Sequence, residues 1–84
     1  MRRLIVKARV TVTLKPGVLD PQGKAIEGAL RSLSIGGLKN VRQGKIFDIE
    51  IDGEDRNGAR AMLNDACERL LANTIVENYA IEIV

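Results

Sequence analysis

Alternation of apolar and polar side chains near the start of the chain constrains its fold more than any other feature. Every even position from Leu4 to Leu14 is apolar, whereas the odd positions include Lys7, Arg9, Thr11 and Thr13. A period of two residues sends alternate side chains to opposite faces of an extended strand. The pattern therefore predicts a long strand with one face in the core and the other in solvent.

A helix is predicted after a loop at residues 15–20. Asp20 followed by Pro21 has the order of an N-cap and a first helical residue, because the aspartate accepts a bond from a free N–H and proline lacks one. We expect Gly36-Gly37 to stop this helix. Its apolar residues recur every three or four positions and are Ile26, Ala29, Leu30 and Leu33.

A hairpin is predicted next. A short strand over residues 39–43, a turn at Gly44-Lys45 and a strand over residues 46–51 follow one another directly. Phe47, Ile49 and Ile51 alternate with acidic residues in the second of these strands, which indicates a single buried face.

A second helix and a last strand complete the pattern. Asp55 is a plausible N-cap, and the helix is expected to end at Asn73. Its apolar residues are Ala59, Met62, Leu63, Ala66, Cys67, Leu70 and Leu71. Apolar residues at alternate positions from Tyr79 to Ile83 mark the last strand.

The order βαββαβ predicts an α+β fold in a single domain over residues 1–84. Two right-handed βαβ halves close into a four-stranded antiparallel sheet with both helices on one face, a ferredoxin-like sandwich. This architecture carries many unrelated activities, so the function has to come from particular sites.

Composition excludes several classes of function. The chain has 84 residues, a formal charge of +2, one cysteine and no histidine. These counts argue against disulfide frameworks, Cys/His metal sites and histidine-based catalysis. Cys67 falls on the apolar face of the second helix and is interpreted as a buried packing residue, not a nucleophile. No segment approaches the roughly 20 apolar residues of a membrane span, and we expect a soluble cytoplasmic protein.

Two activities known for this fold are disfavoured. RNA-recognition modules stack bases on exposed aromatic rings, whereas Phe47 lies on the apolar face and the opposite face is acidic. An acylphosphatase-like site needs an arginine in the loop that clamps the anion, and the segment from Lys15 to Lys24 contains none. The chain is expected to bind neither nucleic acid nor membrane.

Self-association is the remaining physical expectation. The first strand spans eleven alternating residues, whereas its hairpin neighbour has about six. Part of its edge would then lack a partner within the chain, and unpaired edges are commonly covered by association. We therefore predict a homodimer or a higher homo-oligomer formed along the first strand.

Three segments of the chain are distinctive, namely VTLKPGVLDPQGKAIEGAL from Val12 to Leu30, VRQGK from Val41 to Lys45 and CERLLANTIVENYAIEI from Cys67 to Ile83. Together they closely resemble the PurS family, the small subunit of phosphoribosylformylglycinamidine synthase. The resemblance covers the whole chain. One departure is Asn73-Thr74, where the family often has Asn-Pro, and it concerns only the entry into the last strand.

This resemblance implies a non-catalytic subunit of a glutamine-dependent C–N ligase in purine biosynthesis. The complex converts formylglycinamide ribonucleotide, glutamine and ATP to formylglycinamidine ribonucleotide. A PurL-like synthetase subunit would use ATP and Mg²⁺, a PurQ-like glutaminase subunit would release ammonia, and the small subunit would bring them together without a cofactor of its own. A stand-alone ferredoxin-like regulatory or small-ligand-binding module is the alternative.

The loop before the first helix is the candidate contact surface for these partners. Pro16 and Pro21 restrict it, Asp20 caps the helix, and Val18 and Leu19 stand outside both periodic patterns. Either this pair is presented to a partner, or one of the two, Leu19 being the better placed, folds back on the helix start as a hydrophobic staple. Lys15 and Arg42 are added to the candidate interface as possible salt-bridge partners.

Overall fold

The computed structural model describes residues 5–53 and 55–84 and contains three strands and two helices in the predicted order. Leu4, the first residue of the predicted first strand, lies outside the described residues. The elements are β1 (Ile5–Leu14), α1 (Pro21–Ser32), β2 (Gly44–Asp52), α2 (Arg56–Ala66), a π-helical turn (Cys67–Leu71) and β3 (Glu77–Ile83).

The sheet is antiparallel with the order β2-β1-β3, so β1 is its central strand. Val10 lies opposite Phe47 on one side and opposite Ile81 on the other. β2 pairs with β1 from Ile5 to Thr13, whereas β3 pairs with it only from Ala8 to Leu14, so the start of β1 has no strand partner on the β3 side of the described sheet, as predicted. The outer edges of the sheet belong to β2 and β3.

The predicted fourth strand at residues 39–43 is absent from the described sheet. Backbone N–H groups of Val41 and Gln43 donate to the carboxylates of Glu27 and Asp20, at 3.0 and 2.7 Å. This segment therefore runs beside α1 and does not pair with β2. The hairpin prediction failed because two acidic side chains supply acceptors that a neighbouring strand would otherwise provide.

The core lies between the sheet and α2. Val10, Val12 and Cys67 are completely buried there, and Leu63 joins them, which confirms Cys67 as a packing residue. Met62 and Leu70, predicted on the buried face, are exposed. The π-helical turn accounts for Leu70, since a wider turn shifts the later residues around the helix axis.

The first helix does not lie on the sheet, so the prediction of two helices on one face is wrong. Leu33 is 70% exposed, Ile26 and Ala29 are also exposed, and no described residue of α1 belongs to the core cluster.

We call residues 15–43 the arm. The described chain measures 56 × 28 × 15 Å with a radius of gyration of 17.0 Å, against about 12 Å for a compact domain of this length.

Ser34 ends α1 earlier than predicted. Its φ is 61°, and its N–H donates to the carbonyl of Arg31 while the N–H of Ile35 donates to that of Leu30. These two bonds form a Schellman motif with serine at the position that glycine usually takes. The helix therefore ends at Ser32, before Gly36-Gly37.

Candidate partner-binding loop

The loop between β1 and α1 is a short turn anchored at its base. The N–H of Lys15 donates to the carbonyl of Val76, at 2.9 Å, and the N–H of Val18 donates to the carbonyl of Lys15, also at 2.9 Å. The first bond ties the loop to the segment that enters β3, and the second closes its tip. The loop is thus held at a fixed position at one end of the sheet.

Arg42 clamps this loop from the opposite side of the arm. Its guanidinium donates to the carbonyls of Val18 and Lys15, at 2.9 and 3.0 Å, and lies 3.5 Å from that of Leu14. The hypothesis that Arg42 forms a salt bridge with a partner subunit has to accommodate these bonds, because they occupy much of the guanidinium. Arg42 holds the loop in shape, and its contact with a partner subunit stays a prediction.

Asp20 joins the loop to both α1 and the segment leading to β2. Its carboxylate accepts from the N–H of Gln43, at 2.7 Å, and from that of Gly23, at 2.9 Å, and the residue is buried. The predicted N-cap is therefore confirmed. These bonds, the one from Gln43 first, hold the pKa of Asp20 below its ordinary value although burial opposes them. Both carboxylate oxygens of Asp20 are thus engaged within the chain and hold the framework of the loop, and a contact between Asp20 and a partner stays a prediction.

Glu27 is a second buried carboxylate in the arm, and sequence reasoning missed it. Besides the bond from Val41, it pairs with Arg31 at 3.3 Å and Lys24 at 3.6 Å. The N–H of Val41 is the main cause that lowers its pKa. The charges at i−3 and i+4 were visible in the sequence, but they are typical of a solvated helix surface. No sequence signal near Glu27 indicated its hydrogen bond with Val41, which lies fourteen residues away.

The exposed residues of the loop are Pro16, Gly17 and Leu19. Leu19 is 70% exposed, whereas Val18 is half-buried and Lys15 is partly covered. Leu19 therefore does not act as a staple, although it was the better candidate for one. Of the apolar pair considered from the sequence, Leu19 offers the surface that a partner would bury.

Cys67 and Tyr79 both have raised pKa values. Burial raises the pKa of the Cys67 thiol, which disfavours the reactive thiolate. Tyr79 donates its hydroxyl hydrogen bond to Glu68 at 2.6 Å, which raises its pKa to about 12. Among residues 5–53 and 55–84, no group of three or more acidic or cysteine side chains is placed to hold a metal ion. No helix within these ranges is long and apolar enough to cross a membrane.

Comparisons with known proteins agree on one family. The model of the family PurS, phosphoribosylformylglycinamidine (FGAM) synthase, matches residues 7–84. The PurS subunit of Mycobacterium leprae is 46% identical over 77 residues, which are 92% of this chain and 94% of that protein. A PurS structure from Bacillus subtilis superposes with a TM-score of 0.85 at 40% identity, covering 94% of this chain and 98% of the other.

A chain in the structure of PurLQS from Thermotoga maritima is also similar. It superposes with a TM-score of 0.88 at 32% identity, over 96% of this chain and 99% of that one. The likeness thus extends over nearly the full length of each relative and includes the arm as well as the sheet. The chain belongs to the PurS family of phosphoribosylformylglycinamidine synthase subunits.

Proposed function

We propose that this chain is the small, non-catalytic subunit of a phosphoribosylformylglycinamidine synthase and brings its glutaminase and synthetase subunits together. The observation that carries the proposal is the family match over residues 7–84. The solved PurLQS of Thermotoga maritima, which contains a similar chain, supports a complex with a PurL-like and a PurQ-like partner. The reaction of the complex joins ammonia from glutamine to formylglycinamide ribonucleotide at the expense of ATP.

We further propose that the partners supply all catalytic groups and cofactors. ATP and Mg²⁺ belong to the PurL-like subunit in this scheme, and glutamine belongs to the PurQ-like subunit. The buried thiol of Cys67 supports this division, because a glutaminase nucleophile has to be accessible and readily ionised. Purine biosynthesis from soluble nucleotides also favours the cytoplasm as the location of the assembly.

The Arg42-clamped loop is the contact surface that we propose for a partner subunit. A loop held by backbone bonds at its base loses little conformational freedom on binding, which favours association. Leu19 and Pro16 provide its apolar surface, with Val18 behind them and Lys15 at the edge. The strand order of the sheet is that of a ferredoxin-like fold without its outer strand, and we propose that relationship for the architecture.

Reconstitution with PurL-like and PurQ-like subunits from the same organism tests the function. We expect glutamine-dependent synthesis of the amidine to require this chain, whereas synthesis from added ammonia proceeds without it. Glutamine-dependent activity that is unchanged when the chain is omitted, with no co-purification of the three proteins, would favour a stand-alone regulatory or ligand-binding module.

A matched pair of variants tests the loop. Leu19→Asp places a carboxylate at the proposed contact, and Ile75→Asp places one at a highly exposed apolar residue outside the loop. Burying an unpaired charge disfavours association strongly, so only Leu19→Asp should raise the concentration of this chain needed for half-maximal activity, by on the order of 100-fold. Equal effects of the two variants would place the contact elsewhere.

A further inference from the structure

The pattern of backbone hydrogen bonds changes at the end of α2. The N–H of Cys67 donates to the carbonyl of Leu63, four residues earlier, as in an α-helix. The N–H of Ala72 donates instead to the carbonyl of Cys67, five residues earlier, at 3.1 Å. We call these two patterns the α register and the π register. Single π-helical turns are rare and are frequent at functional sites, so this one needs a physical cause.

The π register decides which of two leucines packs in the core. In a continued α-helix, the residues three and four positions after the buried Cys67 would share its side, and these are Leu70 and Leu71. In the structure, Leu71 is half-buried and packs against the core cluster, whereas Leu70 is 82% exposed. The α register would turn Leu70 back toward the core, so the burial of Leu70 favours that register. Another interaction has to hold the π register against this tendency.

Tyr79 of β3 provides such an interaction. It is fixed opposite the buried Val12, and its hydroxyl oxygen lies 2.6 Å from a carboxylate oxygen of Glu68 and 2.6 Å from the side-chain oxygen of Asn64. The hydroxyl has one proton, which it donates to the charged carboxylate, and the Asn64 contact is satisfied when the amide turns its nitrogen to the hydroxyl. Asn64 and Glu68 lie on either side of Cys67 in the chain. The hydroxyl therefore holds the helix at the point where the register changes.

The segment after the π-helical turn connects it to the Arg42-clamped loop. The carbonyl of Asn73 accepts from the N–H groups of Val76 and Glu77, at 3.0 and 2.7 Å, and the N–H of Asn73 donates to the carboxylate of Glu77 at 2.6 Å. The carbonyl of Val76 accepts in turn from the N–H of Lys15, the bond that ties the loop to the entry of β3. A continuous set of hydrogen bonds thus runs from the end of the helix to the base of the loop.

We propose that Tyr79 holds the end of α2 in the π register, and that this register sets both the exposure of Leu70 and the position of the Arg42-clamped loop. Without the hydroxyl bonds, residues 67–71 return to the α register and Leu70 turns toward the core. Residues 72–76 then move, because the two registers end at different positions around the helix axis. An element with two discrete arrangements is what coupling between separate parts of a protein requires. Only the consequence for a partner at the loop rests on the proposed function.

Nuclear magnetic resonance of the isotope-labelled full-length chain reports the register directly. In the wild type, a scalar coupling across the hydrogen bond should join the amide nitrogen of Ala72 to the carbonyl carbon of Cys67. In Tyr79→Phe, which retains the ring, we expect the coupling to the carbonyl carbon of Glu68 instead. The amide resonance of Lys15 should shift in the same variant, because the carbonyl that accepts its bond moves with residues 72–76. A change of register that leaves the Lys15 resonance in place would overturn the coupling to the loop.

Two further variants separate the hydroxyl bond from a general loss of stability. Glu68→Ala removes the same bond from the helix side without touching the tyrosine ring, so it should change the register even where Tyr79→Phe folds poorly. Asp65→Ala is the matched control, because it removes the exposed ion pair with Arg69, at 3.3 Å, from the same part of the helix. We expect it to keep the π register. Retention of the π-register coupling in both variants that lack the hydroxyl bond would overturn the proposal.

Maleimide labelling of a Leu70→Cys chain measures the exposure of residue 70. The buried Cys67 can remain, because trypsin cleaves after Arg69 and separates the two cysteines for mass spectrometry. Adding Tyr79→Phe should slow labelling at residue 70 by on the order of tenfold, as expected when the exposed arrangement becomes a minor population. A Met62→Cys chain, labelled at an exposed position earlier in α2, should react at an unchanged rate. No partner subunit is needed, so the result is independent of the proposed function, and an unchanged rate at residue 70 would overturn the control of its exposure.

Discussion

The carboxylate of Glu27, 2% exposed, accepts a hydrogen bond from the backbone N–H of Val41 at 3.0 Å, and this bond holds the two halves of the arm together. It replaces the strand pairing that the sequence predicts for residues 39–43. Since the proposed loop surface depends on the shape of the arm, Glu27 acts on it from a distance.

Replacing Glu27 by alanine is expected to loosen the arm. The change leaves the N–H of Val41 without its acceptor and removes the ion pairs with Lys24 and Arg31. We expect the melting temperature to fall by roughly 5–10 °C at fixed protein concentration. Glu27→Gln retains an oxygen that accepts from Val41, so its melting temperature should fall less. Glu50→Gln at an exposed position is the control, and an equal fall in its melting temperature would contradict the role of Glu27 in holding the arm.

Acid sensitivity follows from the two buried carboxylates. Hydrogen bonds to the charged forms lower the pKa values of Asp20 and Glu27 in the folded state, so the unfolded chain binds protons more readily. Their contribution to stability is then complete above the ordinary carboxyl pKa of about 4 and is lost as the pH falls through the lower folded values. Urea unfolding between pH 7 and pH 2.5 should show this loss.

One double variant and added salt separate the contributions of Asp20 and Glu27 from those of other carboxylates in the same experiment. Asp20→Asn together with Glu27→Gln should flatten the dependence on pH below about pH 5. Asp48, whose pKa is lowered by Arg9, is exposed, and its share should shrink when salt is added. A double variant with the same pH dependence as the wild type would show that the arm carboxylates do not control acid unfolding.

Local chemistry predicted the elements of this fold but not how the arm is placed. The alternation of apolar and polar residues predicted β1 and β2, and the N-caps Asp20 and Asp55 predicted where the two helices begin. These predictions succeeded because each signal is contained within a few residues. Periodicity also showed that α1 has an apolar side. It does not specify which surface covers that side, and a surface of the same chain was assumed.

The failures at Val41 and Leu70 have different physical origins. Val41 does not pair in the predicted hairpin, because the carboxylate of Glu27, distant in sequence, is a stronger, charged acceptor for the N–H of Val41. Leu70 does not lie on the predicted buried face of the helix, because the π-helical turn contains more residues per turn than an α-helix. In the candidate loop, the sequence left open whether Val18 and Leu19 are exposed. In the structure Arg42 binds the carbonyl of Val18, and Leu19 is the more exposed of the two residues.

Two glycines of α1 provide opposite predictions for the same substitution. A Cβ at Gly23 would overlap the carbonyl oxygen of Val41, whereas one at Gly28 would meet open space. Gly23→Ala should therefore force the two halves of the arm apart and strongly destabilise the chain. Gly28→Ala should stabilise it by about 0.5–1 kcal/mol through a better helix propensity. Thermal unfolding of both variants checks the pair, and a neutral Gly23→Ala would contradict the close contact.

Cys67 is expected to be protected from alkylation in the folded chain. Complete burial excludes the reagent, and the raised pKa lowers the thiolate fraction. Iodoacetamide at pH 8 should modify the native protein far more slowly than the protein in urea. Rapid reaction without denaturant would place Cys67 outside the core.

Ser34 holds a conformation that glycine adopts at lower cost. Its φ of 61° is left-handed, and a side chain in this region costs roughly 1 kcal/mol. Ser34→Gly keeps both bonds of the Schellman motif, which come from the backbone, and removes that cost. Because glycine also increases the entropy of the unfolded chain, the net gain should be about 0.5 kcal/mol, or roughly 2–4 °C in melting temperature.

Ser32→Gly, two residues earlier within α1, has no such strain to relieve and should instead destabilise the chain. Equal losses in both variants would show that the helix does not end at Ser34 in solution.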